Sequence, residues 1–203
     1  MERKSIDAKV KSKPSAAAVF RADLTDALFR ALFEEWAEKG YAAISLERVA
    51  ARAGAGKAAI YRRWHSKQEF ALEAIEKAGV TLADLSDNGS LAADITAYLM
   101  MTRKVLRHPL VRRIVPDLVA ERMRSTEISV VLERLSAARR NLGHEMIERA
   151  IARGEVNETI DRELAFDFIP SPLYWRAIVR GKRVSEADIR KQVIALSAAL
   201  KAC

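Results

Sequence analysis

The chain has 203 residues, half of them hydrophobic, with few aromatics, 8 Gly, 5 Pro and a formal net charge of +8. Its single cysteine, Cys203, excludes an intrachain disulfide and a cysteine-rich metal site, and no apolar run reaches the ~18 residues of a membrane span. The positive balance suits an anionic partner such as nucleic acid or an anionic membrane surface, and the scarcity of Gly and Pro beside abundant helix formers predicts an all-α chain.

Residues 1–19 read as a flexible basic arm in which Arg3, Lys4, Lys9, Lys11 and Lys13 outnumber Glu2 and Asp7. The arm is either a solvated tail or a strand of positive charge for DNA phosphates or the minor groove. Helical spacing of Leu24, Leu28, Ala31, Leu32 and Trp36 predicts a helix over 20–39, stopped at Gly40. Ser45 caps a second helix over 46–53, with Arg48 where a capping box carries an acid. A third helix spans 57–64. Ser66 and Glu69 form a capping box for a fourth over 67–85.

Asp87-Asn88-Gly89-Ser90 is a loop signal that divides the chain. Beyond it, helices are expected at 91–106, 110–124, 127–153, 161–180 and from the Ser185 cap to 202. Pro109 suits a helix start, Pro116 should kink or break the helix that contains it, and Pro170-Ser171-Pro172 should interrupt the next. The predicted architecture is all-α with about nine helices. It consists of the arm at 1–19, a three-helix helix-turn-helix domain at 20–66, a linking helix at 67–86 and a C-terminal bundle at 87–203.

Residues 48–67, RVAARAGAGKAAIYRRWHSK, hold six Lys/Arg and no Asp or Glu. Two short helices meet there at the turn Ala53-Gly54-Ala55. A helical pair with a Gly turn and a one-sided positive charge is what a DNA reader needs: phosphate neutralisation supplies affinity and the second helix can lie in the major groove.

Residues 28–70 resemble the DNA-binding domain of the TetR family of bacterial transcriptional regulators. The matching positions are Ala31, Trp36, Gly40-Tyr41, Ser45-Leu46, Val49-Ala50, Ala53-Gly54, Ile60-Tyr61, Trp64, Ser66-Lys67 and Phe70. Arg153-Gly154-Glu155, Asp161, Asp167 and Pro172-Leu173-Tyr174-Trp175-Arg176 look like one C-terminal subtype of that family. Departures from the pattern are Thr25 where Arg is frequent, Gly56 and Ala59 where hydroxyl residues are frequent, and Trp64 in place of Phe.

The resemblance implies that the third helix enters the major groove, where Lys57, Ala58, Tyr61 and Arg62 share much of one face. Lys57 and Arg62 can donate to guanine O6/N7 or hold a phosphate, and Ala58 offers a methyl group to thymine. Gly56 leaves the helix N-terminal N–H groups open to a phosphate. Tyr61 and Lys67 match family phosphate contacts, Ser45 caps the second helix and can share its hydroxyl with a phosphate, and Arg63 serves backbone or solvent. Ile60 and Trp64 are expected in the core, and His65 on the surface.

The resemblance further implies a homodimer through the last two helices, reading a palindromic double-stranded operator, and a small-molecule inducer in the C-terminal bundle. Candidate pocket residues are Tyr98, Met101, Val105, Met123, Phe166, Ile169, Tyr174, Trp175 and Arg176, each also consistent with an ordinary bundle interior. No metal or cofactor is expected. The three histidines have no ligand spacing and no nucleophile or phosphate-loop motif occurs, which argues against an enzyme. The absence of an apolar segment after the N-terminal charges predicts a cytoplasmic protein. Rival readings are a nonspecific nucleoid-type DNA binder and a helical protein lying on a membrane surface.

Overall fold

A computed structural model describes residues 16–80, 86–124 and 126–202. Among them the regular structure is entirely helical: α1 (Ala16–Lys39), α2 (Leu46–Arg52), α3 (Lys57–Tyr61), α4 (Lys67–Val80), α5 (Leu91–Leu106), α6 (Pro109–Arg122), α7 (Thr126–Ala152), α8 (Arg162–Phe168), α9 (Ser171–Tyr174) and α10 (Glu186–Ala202), with a wide π-helical turn over Trp175–Val179 after α9. No helix among the described residues is long and apolar enough to cross a membrane. The arm at 1–15, the end of the linking helix at 81–85 and Cys203 lie outside the described residues.

Expected and observed boundaries agree closely, with three differences that have local causes. Helix α1 begins at Ala16 rather than 20 because Ala16-Ala17-Ala18 are the best helix formers available, so the last four residues of the expected arm are helical. Helix α3 ends at Tyr61, where the amides of Arg63 and Trp64 both turn back to Ile60 O at 2.9 and 3.0 Å and swing the indole into the core. Helix α6 runs through Pro116 unbroken. Leu110, Ile114 and Leu118 anchor its turns to the N-terminal core on either side of the proline.

The expected interruption at Pro170 is present. Helix α8 ends before it, and the Ser171 hydroxyl donates to the Asp167 carbonyl, taking up a group that the break leaves open.

Two hydrophobic cores organise the chain. The first is built on α1 to α4 around Leu28, Leu32, Trp36, Ile60, Trp64 and Phe70, and it takes in Ile114 of α6 and Ile128 of α7. The second fills the bundle of α5 and α7 to α10. Its corner is tied by the Arg153-Gly154-Glu155 segment. Arg153 reaches Asp87 at 3.0 Å and Asp94 at 3.3 Å, and Glu155 accepts the Leu91 amide at 2.9 Å, closing the start of α5. Asp94 is 1% exposed. Burial opposes its charge, but the Asn88 amide and side chain with Arg149 and Arg153 outweigh it and hold its carboxyl below the usual range.

Beside this shared core, one carboxylate ties the two halves by hydrogen bonds. Asp117 Oδ2, on α6, accepts from Trp36 Nε1 at 2.6 Å and from the Tyr41 amide at 2.9 Å. Gly40, at φ +79°, closes α1 directly beside it, so that a Cβ there would stand 3.4 Å from Asp117 Oδ1. Asp117→Ala strands both donors in a buried site, and its expected cost is about 2–4 kcal/mol from two unsatisfied groups. Asp117→Asn keeps one carbonyl oxygen for the same place and should cost less than half as much. Denaturant unfolding followed by tryptophan fluorescence measures both, and equal stability of Asp117→Ala and the parent chain contradicts the joint.

Candidate nucleic-acid interface

Three buried side chains, Leu46, Val49 and Ala50, seat α2 on α1. Ser45 caps α2 by accepting the Arg48 amide at 3.4 Å. The chain then reverses at Gly54, φ +66°, a conformation that an L side chain rarely adopts. Helix α3 is held by a single residue, Ile60, which is fully buried. With Ile60 inward, Lys57, Ala58, Tyr61 and Arg62 all lie on the exposed side, as their spacing predicts. Gly56 is the α3 N-cap and supplies no side-chain cap to the first amides.

The cations of this segment divide into two sets. Arg48 and Arg52 face inward to α1. Arg48 Nε donates to Glu35 Oε1 at 2.6 Å, and Arg52 grips Glu38 with two bonds of 2.9 Å. Glu35 is fully buried, so these arginines neutralise it and dock α2, although the Arg48 side chain stays about half exposed. Two of the six cations of 48–67 are therefore engaged by carboxylates of α1.

The outer set begins with Lys57. Its ammonium forms an ion pair with Glu47 and lies 5.3 Å from the Tyr61 ring centre. The Lys57 ammonium, with the residue's own backbone amide and the Ser45 hydroxyl, holds the Glu47 carboxyl at about 2, against an ordinary 4.5. Arg62 is exposed and has no side-chain partner among the described residues. Arg63 donates to Thr25 Oγ1 and lies 5.9 Å from the Trp64 ring centre, so the departure at Thr25 is met by a cation from α3's end. Lys67 Nζ donates to the Tyr41 and Ala42 carbonyls at 2.9 and 3.1 Å, and burial lowers its pKa. His65 is exposed, and Ile60 and Trp64 are in the core as expected.

Sequence reasoning passed over Glu47 and Asp117. Glu47 stands just outside the acid-free stretch, ten positions from Lys57, and no helical spacing links residues across a turn. Asp117 lies 81 residues from Trp36 in a different helix.

The candidate pocket residues stand in different surroundings. Tyr98, Phe166 and Ile169 meet in the bundle core, with Met101 packed against it, and the rings of Tyr98 and Phe166 stand edge to face at 5.7 Å. Phe166 packs directly on α7 there: a Cβ on Gly143 would fall 2.0 Å from its ring. Val105 and Tyr174 are half-buried, while Met123 (86% exposed) and Trp175 (57%) face outward. Arg176 pairs with Asp188 at 3.2 Å.

Comparison with known proteins is consistent across the chain. Residues 28–74 match the sequence profile described as bacterial regulatory proteins, tetR family, and residues 85–196 match the tetracyclin repressor-like C-terminal domain. A DNA-binding transcriptional repressor, TetR, of Mycobacteroides abscessus is 32% identical over 151 residues, which cover 70% of this chain and 75% of that one. The crystal structure of the TetR family transcription regulator SCO0332 covers 89% of this chain and 99% of its own at 25% identity and a TM-score of 0.65. FadR from Bacillus subtilis, solved in complex with stearoyl-CoA, shares the fold at 14% identity and a TM-score of 0.72, over 86% of this chain and 96% of its own.

The depressed Glu47 carboxyl gives a direct check on the Lys57 pair. A carboxyl held below its ordinary value keeps its ion pair at all higher pH and loses it only as pH falls through about 2. Carbon-13 NMR titration should place the Glu47 midpoint near 2 in the parent chain and move it toward 4.5 in Lys57→Ala. A parent midpoint already near 4.5 refutes the pair.

Proposed function

This chain belongs to the TetR family of bacterial transcriptional regulators and is a sequence-specific DNA-binding regulator, and from that premise we propose that it is a homodimeric repressor whose α3 reads each half of a palindromic operator and which a small molecule releases. The carrying observation is the exposed face of α3, with Arg62 free of any side-chain partner among the described residues. In this reading Arg62 donates bidentately to guanine O6/N7, and Lys57 exchanges Glu47 for a guanine or a phosphate. Ala58 meets a thymine methyl. Tyr61, Ser45, Arg63, Lys67 and the amides after Gly56 position the backbone without reading sequence.

One short helix reads only a few base pairs, so two heads at a groove spacing of roughly 34–36 Å are needed. Exposed Trp175, Val179 and Ile194 on the last helical segments support a homodimer there. The Mycobacteroides relative is named a repressor, and FadR holds stearoyl-CoA; both support repression relieved by a ligand in the C-terminal half. The family is regulatory rather than enzymatic.

Selection from a random duplex library at fixed salt tests this reading. Enrichment of a palindrome is expected, and salt-sensitive retention with no motif would instead indicate a nonspecific binder. Against the selected site, Arg62→Ala and Lys57→Ala should each cost about 1–3 kcal/mol and relax preference at one position, whereas Lys67→Ala should weaken all sequences alike and flatten the salt slope by about one. Ile194, 71% exposed, supplies the dimer check. Ile194→Glu should shift sedimentation toward a monomer and weaken operator binding; an unchanged dimer removes α10 from the interface.

A further inference from the structure

The turn between α5 and α6 and the segment that follows the wide turn enclose a cavity of about 770 Å³. Its wall carries six cations, Arg103, Arg107, Arg112, Arg113, Lys182 and Arg183, and no acidic residue. Its floor is apolar, made by Leu106, Leu173, Ala177 and Val184 of the bundle core. None of the pocket residues expected from the sequence lines it.

Two of the six cations build the site. Arg103 Nε donates to the Val184 carbonyl at 2.7 Å while its Nη1 stands 3.6 Å from Glu186. Arg112 Nη2 donates to the Gly181 carbonyl at 3.2 Å. Together they fasten the 181–184 segment against α5 and α6. Of the other four, Arg113 acts on the Glu38 carboxylate of α1 through its charge, while Arg107, Lys182 and Arg183 have no side-chain partner among the described residues. Like charges gathered around a concavity focus a positive potential that an entering anion relieves.

The volume falls in the range of small-molecule pockets, and guanidinium forks match phosphate and carboxylate groups bidentately. A DNA backbone is a convex ridge of charge with nothing apolar to reach the floor. We propose that this cavity binds a small organic polyanion, with two or more phosphate or carboxylate groups joined to an apolar body. The charged groups engage the rim and the apolar body covers Leu106, Leu173, Ala177 and Val184.

The site also lies where binding can act on DNA. Arg112 and Arg113 stand about one helical turn before Asp117 on α6, and Asp117 holds Trp36 and Tyr41 of the reading half. An anion that draws the start of α6 inward acts on that joint. This regulatory part rests on the proposal that a ligand releases the operator; binding itself does not.

The test is calorimetric titration of the full chain, without DNA, with three probes: geranyl diphosphate, inorganic pyrophosphate and geraniol. Geranyl diphosphate should bind, with pyrophosphate weaker by roughly tenfold or more and geraniol silent. Arg107→Ala/Arg183→Ala removes two exposed, unpaired side chains, so its melting temperature should hold while geranyl diphosphate affinity falls roughly tenfold or more. Silence with all three probes, equal affinity for pyrophosphate and geranyl diphosphate, or undiminished binding by the double variant overturns the proposal. Loss of random-sequence duplex retention in the double variant also overturns it, since the cations are then a DNA contact. A chain that binds geranyl diphosphate yet stays on its operator supports the site and defeats only the ligand-release reading.

Discussion

One oxygen of Asp117 receives the Trp36 indole and the Tyr41 amide, and the placement of the reading head follows from that pair of bonds. Both donors sit at the end of α1, the helix on which α2 is docked. A carboxylate is suited to the task because one oxygen accepts more than one short, charge-assisted bond. Around it, Ile114 and Ile128 extend the head's own core into α6 and α7. The boundary between the halves is thus a continuation of a core, with α6 in direct contact with α1.

Charge is distributed by the same logic of partners. Inside the head, Glu35 is fully buried and takes Arg48 and Arg52, a cluster that orients α2. On the outside, Lys57 is paired with Glu47 while Arg62 is unpaired. An exposed pair of this kind is worth little to stability, but it fixes where the ammonium stands on the outer face of α3. In the bundle, three cations without a side-chain partner, Arg107, Lys182 and Arg183, stand at a cavity with an apolar floor. The net charge of +8 is therefore a sum over unlike environments, and only part of it is offered to a partner.

The family and the helices were legible because their signals are local. Capping residues, Gly stops and apolar spacing act within one turn of helix, so 91–106 was read to the residue and the Ser66–Glu69 capping pair was anticipated. The α3 face was legible for the same reason, since Ile60 inward forces Lys57, Ala58, Tyr61 and Arg62 outward. The interior pocket was not. Met and aromatic residues at helical spacing describe any bundle interior, and here Tyr98 and Phe166 close on each other while Met123 and Trp175 turn to the surface. The polybasic cavity had no sequence signal because its cations come from the end of α5, the start of α6 and a loop some seventy residues later.

The sequence by itself determined the helical class, the order of the elements, the turn at Gly54 and the outward face of α3, because each depends on neighbours within a few residues. Tertiary structure alone decided which cations are free. Arg48 and Arg62 are equal in sequence, but one finds a buried carboxylate thirteen residues back and the other finds none. The joint at Asp117 and the cationic cavity were likewise decided by packing. Electrostatic roles depend on what stands within a few ångströms, and that distance is set by how the helices pack rather than by their order along the chain.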